Sequence, residues 1–352
     1  MSGGVDSSVA ALLAVGLGLD CAGTMMKLSP EDTFGEPPTN TCNSTSNLKD
    51  AKDIAKKLGI PFHISDYTEE FREQVIDRFI QVYQNGETPN PCIYCNRYLK
   101  FDCLFKRAKE LDKQYIVTGH YARVEVDAGS RRMNLKKGLD TTKDQSYVLY
   151  TLTQEKLSHT LFPLGGLTKT QVRQIALENG FTNAKKHESQ DICFVPDGNY
   201  ADFIQKNATR EIPEGRFVDI NGNNLGKNKG IIHYTVGQRR GLGLSAPEPL
   251  YVCSIDAKNN TVVVGPESNL YAKRLVARDI NLIPVDKLEN PIKTRARIRY
   301  NQQEQPATAW QTDEDTLQVE FETPQKAITK GQAVVLYDGD IVIGGGTINE
   351  VF

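Results

Sequence analysis

Several features that would narrow the function of this 352-residue chain are missing from it or scarce. We find no long apolar run and no cleavable signal, so we expect no contact with a membrane. The chain also has no large excess of charge of one sign, because 42 Lys and Arg nearly balance 44 Asp and Glu and give a net charge of −2. No global field therefore attracts nucleic acid, and a partner of that kind must meet local basic patches.

The seven cysteines predict a reducing, cytoplasmic compartment, in which thiols are available for chemistry or for metals. The length predicts about two or three domains. Apolar runs that alternate with amphipathic helices predict a layered α/β domain in the first half. From about Phe217 onward, short strands with Gly, Asn and Pro turns predict a small antiparallel barrel at the C-terminus.

The strongest local pattern opens the chain and consists of Ser2, Gly3, Gly4, Val5, Asp6 and Ser7, followed by Ser8. Adjacent glycines let successive N–H groups converge on phosphate oxygens, and the apolar run that follows predicts a helix whose positive end faces the anion. The two serines after Asp6 add hydroxyl donors, and Asp6 is placed to cap the helix or to hold Mg²⁺. Because no Gly-Lys-Ser/Thr follows, the pattern resembles instead the S-G-G-x-D-S loop of N-type ATP pyrophosphatases, which cleave ATP between the α- and β-phosphates.

A loop of this kind needs a strand that leads into it, and only Met1 precedes Ser2. Either the sequence begins at an internal methionine and a strand of about five to eight residues has been lost, which we favour, or the sheet works without this strand.

A C-x-x-C pattern places Cys92 and Cys95 after a proline-stiffened turn, with Lys and Arg residues close behind. Cationic neighbours lower the pKa of a thiol and raise its thiolate fraction, as a nucleophile or a metal ligand requires. A third thiol, Cys193, also lies beside positive charge, although by position alone it is more typical of a core residue.

Further motifs follow in order: Asn90-Pro91-x-x-x-Cys95-Asn96, Thr118-Gly119-His120-Tyr121, Lys143-Asp144-Gln145-Ser146-Tyr147, Ile192-Cys193-Phe194, Thr235-Val236-Gly237-Gln238-Arg239 and Gly344-Gly345-Gly346. Together with the first loop they resemble the tRNA-specific 2-thiouridylase family along nearly the whole chain. The resemblance implies an α/β fold: an adenine-nucleotide α-hydrolase-like domain with a parallel sheet (residues 1–195), a central tRNA-binding domain (196–268) and an antiparallel β-barrel (269–352).

The activity implied by the resemblance is ATP-dependent replacement of the 2-oxygen of the wobble uridine by sulfur, in tRNAs for lysine, glutamate and glutamine. Cys193 would receive sulfur from a sulfur carrier or cysteine desulfurase as a persulfide. Cys95 would be the partner nucleophile, which releases sulfur by forming a disulfide with Cys193.

Cys92 departs from the better-known form of the family, which has at this position an aspartate proposed as acid/base. A thiol is a poor substitute for a carboxylate in proton transfer at neutral pH. Cys92, Cys95 and Cys193 would instead make three ligands for a [4Fe–4S] cluster with one iron open to sulfide. The persulfide and cluster mechanisms both stay open, whereas a structural zinc is less favoured because no fourth ligand stands at a recognisable spacing. The remaining cysteines, interpreted as structural, are Cys21, Cys42, Cys103 and Cys253.

The resemblance also implies substrate contacts. Asn90, Pro91 and Cys92 would border the target base in the anticodon stem-loop, where an unstacked base is easily presented. Other implied tRNA contacts are His120, Lys143, Asp144, Gln145, Arg299, Tyr300 and Gln332. Met26 and Gly119 would join the first loop in binding ATP. By spacing alone Met26 is equally a core residue and His120 a capped core histidine, and the basic stretches 227–240 and 295–300 are equally solvated faces.

Two other functions compete. A pyrophosphate-loop synthetase, such as the synthetase part of GMP synthetase, would leave Cys95, Cys193 and the barrel without a role. A non-catalytic tRNA- or nucleotide-binding protein would require that the loop no longer supports catalysis, and ATP cleavage that depends on tRNA would reject it.

Overall fold

The computed structural model describes residues 1–28, 45–186, 192–195 and 198–352 of the chain. The described chain divides into two compact units. Unit 1 comprises Met1–Val75, Cys92–Gly198 and Gly339–Val342, and unit 2 comprises Ile76–Pro91, Asn199–Asp338 and Ile343–Phe352.

The α-helices, in chain order, are α1 (Val5–Gly16), α2 (Thr45–Leu58), α3 (Thr68–Phe71), α4 (Arg78–Gln84), α5 (Pro91–Tyr94), α6 (Leu104–Glu110), α7 (Gln154–Ser158), α8 (Lys169–Glu178) and α9 (Tyr200–Asn207). The strands are β1 (Gly23–Lys27), β2 (Phe62–Asp66), β3 (Ile116–Val117), β4 (Ala122–Val126), β5 (Met133–Lys137), β6 (Thr160–Leu161), β7 (Gly215–Asp219), β8 (Asn224–Asn228), β9 (Tyr251–Asp256), β10 (Thr261–Gly265), β11 (Tyr271–Leu282), β12 (Ile292–Arg297), β13 (Gln305–Asp313), β14 (Thr316–Lys326), β15 (Ala333–Asp338) and β16 (Ile341–Val351).

Unit 1 is built on short parallel strand pairs. β1 pairs with β2 from Gly23↔Phe62 to Lys27↔Asp66, and the intervening α2 is the helical crossover that parallel strands require. β3 pairs in parallel with β6, while β4 and β5 form an antiparallel hairpin. One apolar cluster buries α1 against α8 through residues such as Val9, Val172 and Ala176. This cluster fixes the start of α1, where the first loop lies.

Unit 2 contains a four-stranded sheet, in the order β8-β7-β10-β9, and a closed antiparallel barrel. The barrel runs β11-β14-β13-β12-β15-β16 and closes by pairing of β16 with β11. Inward positions alternate along each strand, as Leu317, Val319 and Phe321 show on β14, and these residues form the barrel core. The predicted order, an α/β region followed by an antiparallel barrel, is confirmed.

Two helical regions of unit 1 and unit 2 contain π-helical segments. Arg72–Asp77 is a π-helix between α3 and α4, and Cys95–Cys103 is a π-helix between α5 and α6. β3 is short, since only Ile116 and Val117 pair as a strand with β6. Among the described residues, no helix has the length and apolar character needed to span a bilayer.

Candidate active site

The first loop wraps the N-terminus of α1. Gly3 has a φ of +75°, and a Cβ there would lie 2.3 Å from the Asn47 carbonyl oxygen, so both the backbone angle and the close approach require glycine. Gly4 is the N-cap residue, in an extended conformation, and Asp6 lies within the first turn. The prediction that Asp6 caps the helix is therefore wrong, since its carboxylate is bound by side chains from other elements.

The serines of the loop divide into one surface group and one internal group. Ser7 Oγ accepts from the Ser2 N–H at 3.1 Å, lies 3.2 Å from Ser2 Oγ and donates to Gly4 O. Ser8 is fully buried and donates to Gly4 O at 2.9 Å. Ser2 is exposed and Ser7 half-buried at the loop, whereas the interpretation of Ser8 as a second donor is wrong because its hydroxyl is fully buried inside the fold.

Asp6 is held by two partners that sequence reasoning missed. Lys169 Nζ donates to both carboxylate oxygens of Asp6, at 2.7 and 2.8 Å. Tyr121 OH donates to Asp6 Oδ1 at 2.9 Å, and the ammonium group of Lys169 lies 5.7 Å from the centre of the Tyr121 ring. Tyr121 stands in a quoted motif, but Lys169 lies in a stretch that carries no recognisable signature, so only the fold brings it to the loop.

Gly119 lies against the backbone of α1. A Cβ on Gly119 would be 2.7 Å from the carbonyl carbon of Asp6 and 2.9 Å from the Ser7 nitrogen, so any side chain would displace the first turn of the helix. Met26, the other predicted nucleotide contact, is a half-buried residue of β1 that pairs with Ser65 of β2. Gly119 therefore lies at the loop, and Met26 lies on the neighbouring parallel strand pair.

Asn183 also contacts the loop, although it lies about 180 positions later in the chain, and the sequence analysis did not identify it. It is 2% exposed, and its amide donates to Gly3 O at 2.8 Å and to Ser8 Oγ at 3.0 Å. Lys186, three residues on, pairs with Asp50 at 3.0 Å and donates to the Asn47 side chain. The segment that precedes the Cys193 motif therefore supports the loop, a relation that spacing along the sequence does not reveal.

The described cysteines are thiols. Cys92 is exposed on α5, Cys95 is half-buried at the first position of the π-helix, and Cys193 is half-buried. Asn96 anchors the π-helix by donating to Val148 O at 3.0 Å, and Phe194 packs edge to face on Phe71. All three predicted catalytic or ligating thiols belong to unit 1.

Burial raises the pKa of the thiols of Cys21, Cys103 and Cys253, which makes them weaker nucleophiles and agrees with their structural interpretation. Cys42 lies outside the described residues. Within residues 1–28, 45–186, 192–195 and 198–352, no group of three or more His, Cys, Asp or Glu side chains is close enough together to hold a metal ion.

His120 is 7% exposed and packs against the rings of Phe101 and Phe162, with centroid distances of 5.9 and 5.8 Å. Its Nδ1 is 2.8 Å from Thr118 Oγ1. Burial, followed by the charge of Lys100, holds the pKa of the imidazole well below its usual range. His120 is therefore a neutral, packed side chain in this structure, and its contact with tRNA stays a prediction.

The three adjacent polar residues of the next motif face different surroundings. Asp144 is buried and accepts from the N–H groups of Gly138 and Ser146 at 3.2 and 3.1 Å. Gln145 Oε1 accepts from the N–H of Tyr121 at 3.0 Å, while Lys143 is half-buried. Asp144 and Gln145 thus shape the chain around Tyr121, and the predicted tRNA contacts of all three stay predictions.

In unit 2, predicted tRNA contacts bind the chain itself. Gln332 Nε2 donates to the carbonyl oxygens of Thr88 and Pro89, at 2.9 and 3.1 Å, and so fixes the segment just before Asn90. Arg299 Nη2 donates to three acceptors, Val236 O, Ala327 O and Thr329 Oγ1, at 3.2, 3.1 and 2.8 Å.

In the basic stretch 295–300, β12 ends at Arg297, so Arg299 and Tyr300 lie in the turn that follows, with Tyr300 exposed. Within that stretch Arg295 and Arg297 share the Glu304 carboxylate, at 3.9 and 3.0 Å, and Arg295 also donates to Glu304 O at 2.7 Å. The single carboxylate offsets one of these two positive charges.

Three family profiles match the chain in sequence. One described as the tRNA methyl transferase HUP domain matches residues 1–197, one described as the tRNA methyl transferase PRC-barrel domain matches 201–266, and one described as the aminomethyltransferase beta-barrel domain matches 272–348.

Curated relatives align over almost the whole chain. The tRNA-specific 2-thiouridylase MnmA of Clostridioides difficile is 49% identical over 350 residues, which cover 99% of this chain and 97% of the relative. The proteins of the same name from Clostridium acetobutylicum and Acetivibrio thermocellus are 47% and 48% identical, each over 99% of this chain and over 98% and 97% of their own lengths.

Proposed function

The chain belongs to the tRNA-specific 2-thiouridylase family, and we propose that it forms 2-thiouridine in tRNA, with ATP activating the base and a cysteine delivering the sulfur. As a member of that family it is a tRNA sulfurtransferase. The observation that carries the proposal is the first loop, in which Gly3, Gly119 and Asn183 hold the start of α1 open to a phosphate group.

ATP is bound at that loop. The N–H groups at the start of α1 and the hydroxyls of Ser2 and Ser7 meet the phosphates, and the nucleoside extends toward Gly119 and Met26. One carboxylate together with substrate phosphates is a usual ligand set for Mg²⁺, so Asp6 suits the ion chemically, although the ion would compete with Lys169 for its oxygens. When bound, Mg²⁺ neutralises phosphate charge.

The reaction consists of activation of the base, transfer of sulfur and release of the product. The 2-oxygen of the uridine attacks the α-phosphorus of ATP, the bond to the β-phosphate breaks, and pyrophosphate leaves. The terminal sulfur of a Cys193 persulfide attacks C2 and expels AMP. The Cys95 thiolate then attacks the sulfur of Cys193, so that 2-thiouridine leaves and a Cys95–Cys193 disulfide forms. A thiol reductant reopens the disulfide, and a sulfur carrier or cysteine desulfurase reloads Cys193.

The substrate is the wobble uridine of tRNAs for lysine, glutamate and glutamine, presented by the anticodon stem-loop. Asn90, Pro91 and Cys92 border the base. The other proposed tRNA contacts are His120, Lys143, Asp144 and Gln145 in unit 1 and Arg299, Tyr300 and Gln332 in unit 2.

A [4Fe–4S] cluster is the alternative sulfur carrier for the same reaction. Cys92, Cys95 and Cys193 supply the three thiolates that such a cluster needs. The described residues, however, hold no ready-made group of three ligating side chains. Iron content and activity of the purified protein therefore distinguish the two sulfur carriers.

The test is a tRNA thiolation assay on protein purified anaerobically, after iron and sulfide analysis. ATP is supplied to iron-free and to reconstituted protein, in one series with sulfide and in another with cysteine and a cysteine desulfurase, which transfers sulfur already at the oxidation level of a persulfide. Activity of the iron-free protein with the desulfurase supports the Cys193 persulfide, whereas activity only with about four irons makes the three cysteines cluster ligands. Absence of thiolation in both preparations, with the tRNA shown to be a substrate of another thiolase, contradicts the proposed function.

A further inference from the structure

We propose that Lys169 is a phosphate-binding residue of this site, which contacts the pyrophosphate part of ATP while Asp6 holds it at the loop. This inference rests on the proposed function, because it assumes that the loop binds ATP. It assigns a role to a residue to which the sequence analysis assigns none.

The placement of Lys169 is unusual for a lysine. The residue is only 9% exposed, and its ammonium group contacts both oxygens of Asp6, a residue of the phosphate loop. The side chain of Asp6 is itself 32% exposed, so the ion pair lies at the mouth of the loop. A cation that reaches an aspartate of the loop is within a few ångströms of any anion bound there.

The backbone of Lys169 is fixed from two sides. It is the first residue of α8, whose N-cap Thr168 forms a capping box with Gln171. The N–H of Lys169 donates to Asp140 Oδ2 at 2.9 Å, and this bond is the main reason why the pKa of the Asp140 carboxyl is lowered. The lysine is thus positioned before any ligand arrives, as a binding group must be.

Stability does not explain this position. A cation at the first residue of a helix opposes the helix dipole, and burial of an ammonium group costs more than burial of an apolar side chain of similar size. A buried ion pair with one carboxylate roughly breaks even against apolar residues. The position is favourable once an anion binds, because α1 and Lys169 then both direct positive charge at it.

The Asp6–Lys169 ion pair also reduces the repulsion between the Asp6 carboxylate and a bound phosphate. Asp6 alone would repel the phosphates that the N–H groups of α1 attract. Lys169 neutralises that carboxylate, and as a compact point charge it can contact a phosphate oxygen from the same place. Tyr121, which donates to Asp6 Oδ1, keeps the carboxylate oriented toward the lysine.

The experiment measures binding of ATP, AMP and inorganic pyrophosphate, each with Mg²⁺, by isothermal titration calorimetry. Lys169→Met is compared with wild type and with Lys156→Met. Lys156 is a matched control, because its side chain is 16% exposed and is paired with Asp102 in the same unit, on α7. We expect Lys169→Met to weaken binding of ATP and pyrophosphate by about tenfold or more, the effect of losing one charge-assisted hydrogen bond. AMP affinity should change by less than about twofold, and Lys156→Met should bind all three ligands as wild type does.

Pyrophosphate binding by Lys169→Met within about twofold of wild type, or an equal loss for AMP and pyrophosphate, overturns the inference. If Lys169→Met does not melt cooperatively, reductive methylation of the wild-type protein decides instead. Pyrophosphate should slow methylation of Lys169 and leave Lys156 unchanged, and equal rates with and without pyrophosphate overturn the inference. A wild-type protein that binds no ATP contradicts the proposed function itself, whereas one that binds ATP independently of Lys169 contradicts only this inference.

Discussion

The phosphate loop of unit 1 and the barrel of unit 2 hold their candidate residues in opposite ways. At the loop, backbone meets backbone: a methyl group on Gly3 or Gly119 would lie within 3 Å of another main chain. In the barrel unit, the long side chains of Arg299 and Gln332 reach across to carbonyl oxygens. Where two main chains are in close contact, an added side chain has no space and must displace the backbone. A long side chain, by contrast, can be replaced with the loss of its hydrogen bonds alone. Substitutions at the loop should therefore affect ligand binding first, and substitutions in the barrel unit should affect stability first.

The largest difference between the units is expected for their cysteines. Cys193→Ser should lower thiolation by about a thousandfold or more and leave ATP binding unchanged, because it removes the sulfur-carrying atom but no loop contact. Cys253→Ser is the control in unit 2, where burial raises the pKa of the thiol and its S–H group donates to Tyr251 O. Thiolation by Cys253→Ser should match wild type. A Cys193→Ser enzyme with normal turnover in the tRNA assay would eliminate both the persulfide and the cluster mechanism.

The next largest effect is expected for Gly119→Ala. The added methyl group meets Asp6 and Ser7 main-chain atoms, so the first turn of α1 must move, and ATP affinity should fall by about a hundredfold with a stability loss of about 1–3 kcal/mol. Gly16→Ala, at the other end of the same helix, has nothing within 4 Å of the added methyl and should be neutral or slightly stabilising. Calorimetric titration with ATP and thermal melts provide both numbers. If the two variants bind ATP equally well, close packing of the loop is not what shapes the site.

The same contrast explains how much could be read from the sequence. The positions of Gly3, Gly4 and Ser7 at the start of a helix could be predicted, because a loop and the helix after it are contiguous in the chain. The alternating residues of the barrel strands were also predictable, since a period of two is local. Lys169 and Asn183 were missed because they meet the loop only after the chain has returned from more than 160 residues away, as the spacing of the Asp6–Lys169 contact shows.

The interpretations of Asp6 and Ser8 changed because the sequence does not show which side chains contact each other in the fold. Asp6 was expected to cap α1 or to hold Mg²⁺, and the first alternative is wrong, because Gly4 is the N-cap and a lysine from α8 and a tyrosine bind the Asp6 carboxylate. The hydroxyl of Ser8 was expected to face phosphate, yet its neighbours in the fold bury it. In each case the residue type was correctly noticed, and the direction of the side chain was decided by tertiary packing.

A smaller effect, on stability, is expected for Gln332→Leu. The variant leaves the carbonyl oxygens of Thr88 and Pro89 without the amide that now donates to both, which should cost about 1–3 kcal/mol. ATP binding should be unchanged, because the loop belongs to the other unit. Gln303→Leu, at an exposed position before β13, is the control and should change stability by less than about 0.5 kcal/mol. Denaturant unfolding and ATP titration measure the two quantities, and a loss of ATP affinity without a loss of stability would contradict the division between the units.

The smallest effect concerns His120, which shows how fully unit 1 buries a residue expected at the substrate surface. Because burial lowers the pKa of the folded imidazole well below 6.5, the folded protein keeps His120 neutral while the unfolded chain binds a proton below about pH 6.5. The contribution to stability is therefore present above pH 6.5 and is lost as the pH falls. His120→Phe should remove this part of the pH dependence, so wild type should lose more stability than the variant between pH 7.5 and pH 5.5 in urea unfolding. An NMR titration of the wild-type imidazole with a midpoint near 6.5 would show instead that His120 is open to solvent and free to take a proton at the tRNA surface.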